Sequence, residues 1–193
     1  MRFTTIALAA ATLAATPAAA QDFTGPRLEA NIGYDRLDAD TGVAGAPDHA
    51  EGLRLGAAVG YDVALGPNFT IGAEAGIGWS LDDRERAAVG TSRVGIDSGR
   101  DIDVSLRLGA RVAPRTLLYA KAGWANTRFE GEVRNASGAL VSRVRGDEDG
   151  YRLGAGVEQA LGRRLFVKGE YRYTNYGDDL ERHQALVGFG VRF

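Results

Sequence analysis

The chain of 193 residues has no cysteine, so neither a disulfide nor a thiolate metal site can contribute to its stability or chemistry. Histidine is nearly as scarce, with His49 and His183 the only two, which leaves little material for acid–base catalysis near neutral pH. Net charge is −2 with both signs interspersed, so the electrostatic footprint of a nucleic-acid binder is missing. Past the amino terminus there is no apolar run long enough for a transmembrane helix, which needs roughly 18 or more consecutive apolar residues. Proline is sparse too: Pro17, Pro26, Pro47, Pro67 and Pro114 all lie outside the apolar-alternating segments described next. Proline cannot donate to a β-ladder, and this spacing keeps it out of strand interiors.

What is abundant is glycine, 27 residues without a collagen-like period, and strict alternation. Counting back from the end, Phe193, Val191, Phe189, Val187 and Ala185 share one parity, while Arg192, Gly190, Gly188 and Gln184 share the other. Successive strand side chains point to opposite faces, so this is one apolar face and one face of small and polar groups. The same pattern starts at Leu28, Leu53, Phe69, Ile102, Leu118, Tyr151 and Leu165, making eight segments in all. Each is long enough for a tilted membrane strand of roughly 9–11 residues. The spacing predicts tight turns near Gly66-Pro67-Asn68, Ala113-Pro114-Arg115 and Gly162-Arg163-Arg164, and longer charged loops near 38–50, 82–100, 129–149 and 176–182. Short turns at one rim and long loops at the other are expected of outer-membrane barrels. The fold expected is therefore all-β, an eight-stranded antiparallel up-and-down transmembrane β-barrel.

The first 20 residues read as a signal peptide: Met1-Arg2, then an apolar stretch over 6–15, then Ala18-Ala19-Ala20 as a small-residue cleavage site. The barrel domain would span 21–193. Tyr34, Trp79, Trp124, Tyr151, Tyr171 and Tyr173 would then lie near the outer rim and Tyr61, Phe69 and Phe193 near the inner one, as two aromatic belts at headgroup level. Alternation alone also permits a soluble barrel carrying a lipid inside. Aromatics at strand ends and glycines on the opposite face favour lipid outside.

With that orientation the lumen receives Arg54, Arg107, Arg111, Lys121, Arg152, Lys168, Arg172 and Arg192, together with Glu29, Asp35, Asp62, Glu74, Asp103, Glu158 and Glu170. Eight strands leave only enough width for side chains to fill the interior. The expectation is a lumen plugged by an ion-pair network, with a low-conductance porin-like pore as the alternative.

The segments Leu118-Tyr119-Ala120-Lys121-Ala122-Gly123-Trp124, Tyr151-Arg152-Leu153-Gly154-Ala155-Gly156-Val157-Glu158 and Val187-Gly188-Phe189-Gly190-Val191-Arg192-Phe193 carry a family likeness. The chain resembles the outer-membrane β-barrels of Gram-negative bacteria, specifically the small opacity-like and outer-membrane-protein-A-like barrels. The resemblance implies that Phe193 is an assembly signal read by the barrel-assembly machinery. It also implies contact with outer-membrane lipids and lipopolysaccharide, and a structural, adhesive or small-pore role. The charged loops offer a surface for an extracellular partner, and Asp147-Glu148-Asp149 lacks the glycine and ligand spacing of a dedicated calcium loop. No cofactor is implied. Some small barrels modify lipid A with a histidine beside a serine; His183 has no serine on its own face of the strand, which argues against an enzyme.

Overall fold

A computed structural model of the protein describes residues 23–39, 49–81, 85–89, 92–134, 140–177 and 180–193. The expected signal peptide lies outside them. The described residues form nine strands and no helix: β1 (Gly25–Ala39), β2 (His49–Ala64), β3 (Phe69–Ser80), β4 (Glu85–Val89), β5 (Ser92–Ala113), β6 (Thr116–Arg134), β7 (Leu140–Ala160), β8 (Leu165–Asn175) and β9 (Leu180–Arg192). Every pairing is antiparallel. Neighbours in sequence are neighbours in space, β1 pairs with β9, and β3 skips β4 to pair with β5. Eight strands thus close a barrel, and β4 stands outside the ring, paired only with the upper part of β5.

Closure of the ring depends on residues that bend the chain. Gly66 (φ 86°) allows the β2–β3 turn, closed by the Leu65 N–H to Phe69 carbonyl bond of 2.7 Å. In the β7–β8 turn the Leu161 N–H donates to the Leu165 carbonyl at 2.9 Å. Both turns lie at the rim that also holds the β5–β6 turn and the foot of β9.

At the other rim the structure differs from the sequence reading. Much of what read as loop over 82–100 and 129–149 is strand: β5, β6 and β7 reach 22, 19 and 21 residues, against 11 to 16 for the other five staves. A register shift between Ser98 and Asp101 puts one extra residue into β5 where the barrel wall gives way to this projecting sheet. Bulges commonly sit at barrel rims because the added residue bends and twists the strand. Charge misled the reading here: these stretches are rich in charged residues and lack the apolar alternation that marks a membrane strand.

Burial is inverted relative to a water-soluble domain. Leu106 and Val187 are 66% and 59% exposed, while Arg107 and Glu74 are 2% exposed. The large apolar side chains form the outer surface, and that belt requires hydrocarbon around it, since patches beyond a few hundred Å² are rare on soluble monomers. Tyr34, Trp79, Trp124, Tyr151 and Tyr171 ring one end of it and Tyr61, Phe69 and Phe193 the other, all exposed.

Candidate functional site

The distinctive chemistry of the chain lies inside the barrel. Seventeen charged side chains are buried there, nine cationic and eight anionic: Arg27, Arg54, Arg107, Lys121, Arg152, Lys168, Arg172, Arg182 and Arg192 against Glu29, Asp35, Asp62, Glu74, Asp101, Asp103, Glu158 and Glu170. Alternation aims them inward from all eight staves, and glycines opposite them leave room. A Cβ on Gly78 would meet the Arg54 guanidinium, and one on Gly72 would meet the Asp62 carboxylate.

The pairs form one continuous network. Near the short-turn rim, Asp62 Oδ2 accepts from Arg27 at 2.9 Å, Arg192 at 2.8 Å and Arg107 at 3.4 Å. Glu158 is held between Arg107 at 2.7 Å and Arg192 at 2.9 Å. In the middle, Glu74 joins Lys121 at 2.6 Å to Arg27 at 2.7 Å. Glu170 takes Lys121 at 2.7 Å, Lys168 at 2.8 Å, the Tyr119 hydroxyl at 2.6 Å and the Arg172 guanidinium. Toward the long-strand rim, Asp101 takes Arg152 at 2.8 Å and Arg54 at 3.0 Å, Asp103 takes Arg152 at 2.9 Å, and Asp35 takes Arg182 at 2.8 Å. Arg172 bridges the tiers, reaching Asp103 at 3.5 Å. Arginine suits this arrangement because its planar fork serves two or three carboxylates at once. Below the charges, Phe23, Leu117 and Ala160 form a small apolar floor. Phe166 is buried as well, with the Arg192 guanidinium 5.7 Å from its ring centre, and Tyr119 lies under Arg107 at 3.8 Å.

The sequence profile of the outer membrane protein beta-barrel domain family matches residues 5–193. The chain belongs to that family. Solved structures with the same fold include Neisserial surface protein A (TM-score 0.63, 13% identity, 88% of this chain and 98% of that one). Another is Ail, the attachment invasion locus protein of Yersinia pestis (0.57, 15%, 88% and 99%). A third is OprG of Pseudomonas aeruginosa (0.52, 12%, 88% and 97%). Among curated proteins, none matches the sequence significantly. The protein is an outer-membrane β-barrel, and its rim of short turns faces the periplasm as in other such barrels.

Of the residues expected inside this outer-membrane barrel, Glu29, Arg54, Glu74, Arg107, Lys121, Arg152, Glu158, Lys168, Glu170 and Arg172 come together in the lumen. Arg111 does not: it stands part-exposed at the periplasmic rim, where its guanidinium donates to the Pro67 carbonyl. The reason is position, since β5 has reached its last turn there and a register shift separates Arg111 from Ala113. Three lumenal charges escaped the sequence reading: Arg27, Asp101 and Arg182 each lie two residues before a lumenal position already assigned, namely Glu29, Asp103 and Gln184. Extending the alternation by one period would have found them. Leu186 also points inward, against Gly33.

Of the two histidines, one stands elsewhere than expected and the other has a partner the sequence did not show. His49 opens β2, in register with Asp38, rather than lying in a loop. His183 does have a hydroxyl partner, but from the adjacent strand: the Tyr171 hydroxyl lies 2.6 Å from Nδ1. Its Nε2 is 3.9 Å from Asp38 and 3.8 Å from Glu181, and its ring lies 5.2 Å from that of Tyr173. This cluster sits on the outer surface in the aromatic belt. Of the acidic triplet, Asp147 pairs with Arg128 at 2.9 Å and Asp149 accepts from Asn126 at 2.8 Å, which commits both to cross-strand partners. Among the described residues no group of three or more His, Asp or Glu side chains is placed to hold a metal ion.

Proposed function

We infer that the protein is a non-enzymatic outer-membrane barrel, plugged by its own side chains, with a structural or surface-interaction role. The observation that carries this is the seventeen buried charges joined in one network across an eight-stranded interior. A permeating ion would have to displace partners that are themselves buried and bound, which costs about 3–5 kcal/mol for each pair broken. A low-conductance pore is the competing reading. Proteoliposome swelling separates them: the plug predicts no solute entry above empty vesicles, and uptake of small sugars would reverse the order.

The surface-interaction part rests on the projecting sheet. β7 pairs with β6 down to Leu140, but with β8 only from Tyr151 onward. Its residues 140–150 therefore present one backbone edge without a strand partner among the described residues. An edge of this kind accepts an extended segment by strand addition. Ail, of similar fold at 14% identity, has been solved with the heparin analogue sucrose octasulfate, which supports surface recognition as a use of such barrels without naming a ligand for this chain. Replacing 131–147 by a two-residue turn should leave the barrel intact and abolish attachment of intact cells to host or matrix surfaces; unchanged attachment would leave only the structural role.

Phe193 faces outward at the foot of β9, where the resemblance implies recognition by the assembly machinery. Phe193→Ala should then lower the amount of assembled barrel in the outer membrane while in-vitro refolding is unaffected. His183 is read as an interfacial anchor, so His183→Ala should leave lipid A unaltered.

A further inference from the structure

The edge of β7 that has no strand partner among the described residues carries an order of charge that a second copy of the chain would match. Residues 143–149 read Arg-Val-Arg-Gly-Asp-Glu-Asp, with two arginines before Gly146 and two aspartates after it at mirrored spacing. Laid antiparallel against a second copy and centred on Gly146, Arg143 stands opposite Asp149 and Arg145 opposite Asp147. The two-fold repeats both pairs, so the seam sets arginine against aspartate four times. Laid parallel and in register, the same strands set arginine on arginine and aspartate on aspartate. Opposite charges directly across a strand pair stabilise it, and like charges oppose it.

The neighbouring strand extends the alternation. Within the chain Arg145 is in register with Glu130, Arg143 with Glu132 and Asp147 with Arg128. Across the seam one row therefore runs from Glu130 to Arg145, then to Asp147 and Arg128 of the second copy, with signs alternating over four strands. Asp147 already meets Arg128 at 2.9 Å, and a carboxylate has lone pairs for a second guanidinium. The window for pairing is symmetrical too: Tyr151 is already paired with Asn175 of β8, so a copy can add along 142–150, which centres on Gly146. The barrel sets the orientation. β6 and β7 stay in register from Thr116 to Val133 without a shift, so the hairpin continues the barrel wall. Antiparallel addition to a strand that rises from the membrane turns the second barrel over, and the two copies stand in facing membranes. With Tyr151 in the aromatic belt, the two belts are about 33 Å apart along the seam, or roughly 25 Å between bilayers once strand tilt is included.

We propose that β7 is a self-complementary docking strand that joins this protein to a second copy in an apposed membrane. The proposal rests on the surface-interaction reading above and names its partner. Each arginine–aspartate pair contributes up to about fivefold in association, and many copies per membrane multiply the effect.

The test uses the refolded full barrel in phosphatidylcholine vesicles. Wild-type vesicles should cluster, as read by light scattering. R143D/R145D and D147R/D149R should each reduce that clustering more than about tenfold, and mixing the two populations should restore it. Because the chain has no cysteine, single cysteines read the register. Gly146 meets itself across the two-fold, and a Cβ added there has nothing nearer than Glu148 at 3.9 Å. G146C should therefore form disulfide-linked dimers under mild oxidation, while S142C, which stands opposite position 150, should not. Heat-dependent mobility on detergent gels checks that each variant is folded. Absence of clustering by the wild type overturns the proposal, as does clustering unchanged in a folded R143D/R145D. Dimers from S142C as fast as from G146C also overturn it, because they mark parallel pairing. Each of these failures leaves the surface-interaction reading standing, since attachment of cells to host or matrix surfaces is measured separately.

Discussion

Glu74→Gln removes one charge from the centre of the plug while preserving shape. Glu74 is buried and accepts from Lys121 at 2.6 Å and Arg27 at 2.7 Å. Breaking a buried pair by neutralising one partner costs about 3–5 kcal/mol, because the other charge is left in a poorly solvated site. Here each cation keeps a second carboxylate: Lys121 has Glu170 at 2.7 Å, and Arg27 has Asp62 at 2.9 Å. The loss should therefore fall at the low end, about 3 kcal/mol, or roughly a hundredfold in the folding equilibrium. With a urea dependence of about 1–3 kcal/mol per molar, the unfolding midpoint should drop by about 1–3 M. Trp79 and Trp124 lie on the lipid-facing surface, so tryptophan fluorescence in lipid vesicles reports the transition. Adding Lys121→Met to Glu74→Gln removes the cation left with one carboxylate instead of two and should recover part of the loss, with a coupling energy of about 0.5–3 kcal/mol. Glu181→Gln at the exposed rim is the control and should change stability by less than about 1 kcal/mol. If Glu74→Gln lies within about 0.5 kcal/mol of wild type, the network contributes little and the reasoning is wrong.

Leu106→Arg, near the middle of the β5 barrel segment on the lipid face, should cost about 2–4 kcal/mol in vesicle-based unfolding. A neutral result would contradict hydrocarbon on that face. Gly123→Ala should destabilise by about 1–3 kcal/mol by the same measurement. Its Cβ would lie 2.1 Å from the Val104 carbonyl oxygen and 2.5 Å from the Ser105 Cα, which are backbone atoms that cannot move aside. Gly169→Ala, whose Cβ would meet nothing nearer than 4.0 Å, should be tolerated. Arg111→Ala should cost no more than about 1.5 kcal/mol, the value of one part-exposed hydrogen bond to Pro67, and less than any fully lumenal arginine.

The barrel was legible because a membrane wall imposes one rule on every stave. A period of two with apolar groups on one parity is visible at Leu28, Leu106 or Val187 without any knowledge of partners. Parity also assigned Arg107 and Glu74 to the lumen before any distance was known. It could not say which cation meets which carboxylate. Arg27 on β1 reaches Asp62 on β2 and Glu74 on β3, and that choice follows from side-chain length and strand stagger. Reading failed where the environment changed. Residues 129–134 and 140–149 are charged without apolar alternation, so they looked like loop although they pair in register. Arg111 shows the same limit at the other end, since parity does not reveal where the lumen stops. Tyr171 as the partner of His183 was hidden because the contact runs between strands rather than along one.

Planar-bilayer recording of the purified, refolded barrel tests the plugged lumen most directly. The network predicts no steady single-channel current from the wild type at neutral pH, with brief openings at most. Stable ohmic steps from the wild type, unchanged in size by Glu74→Gln or Asp101→Asn, would contradict a lumen closed by its own charges.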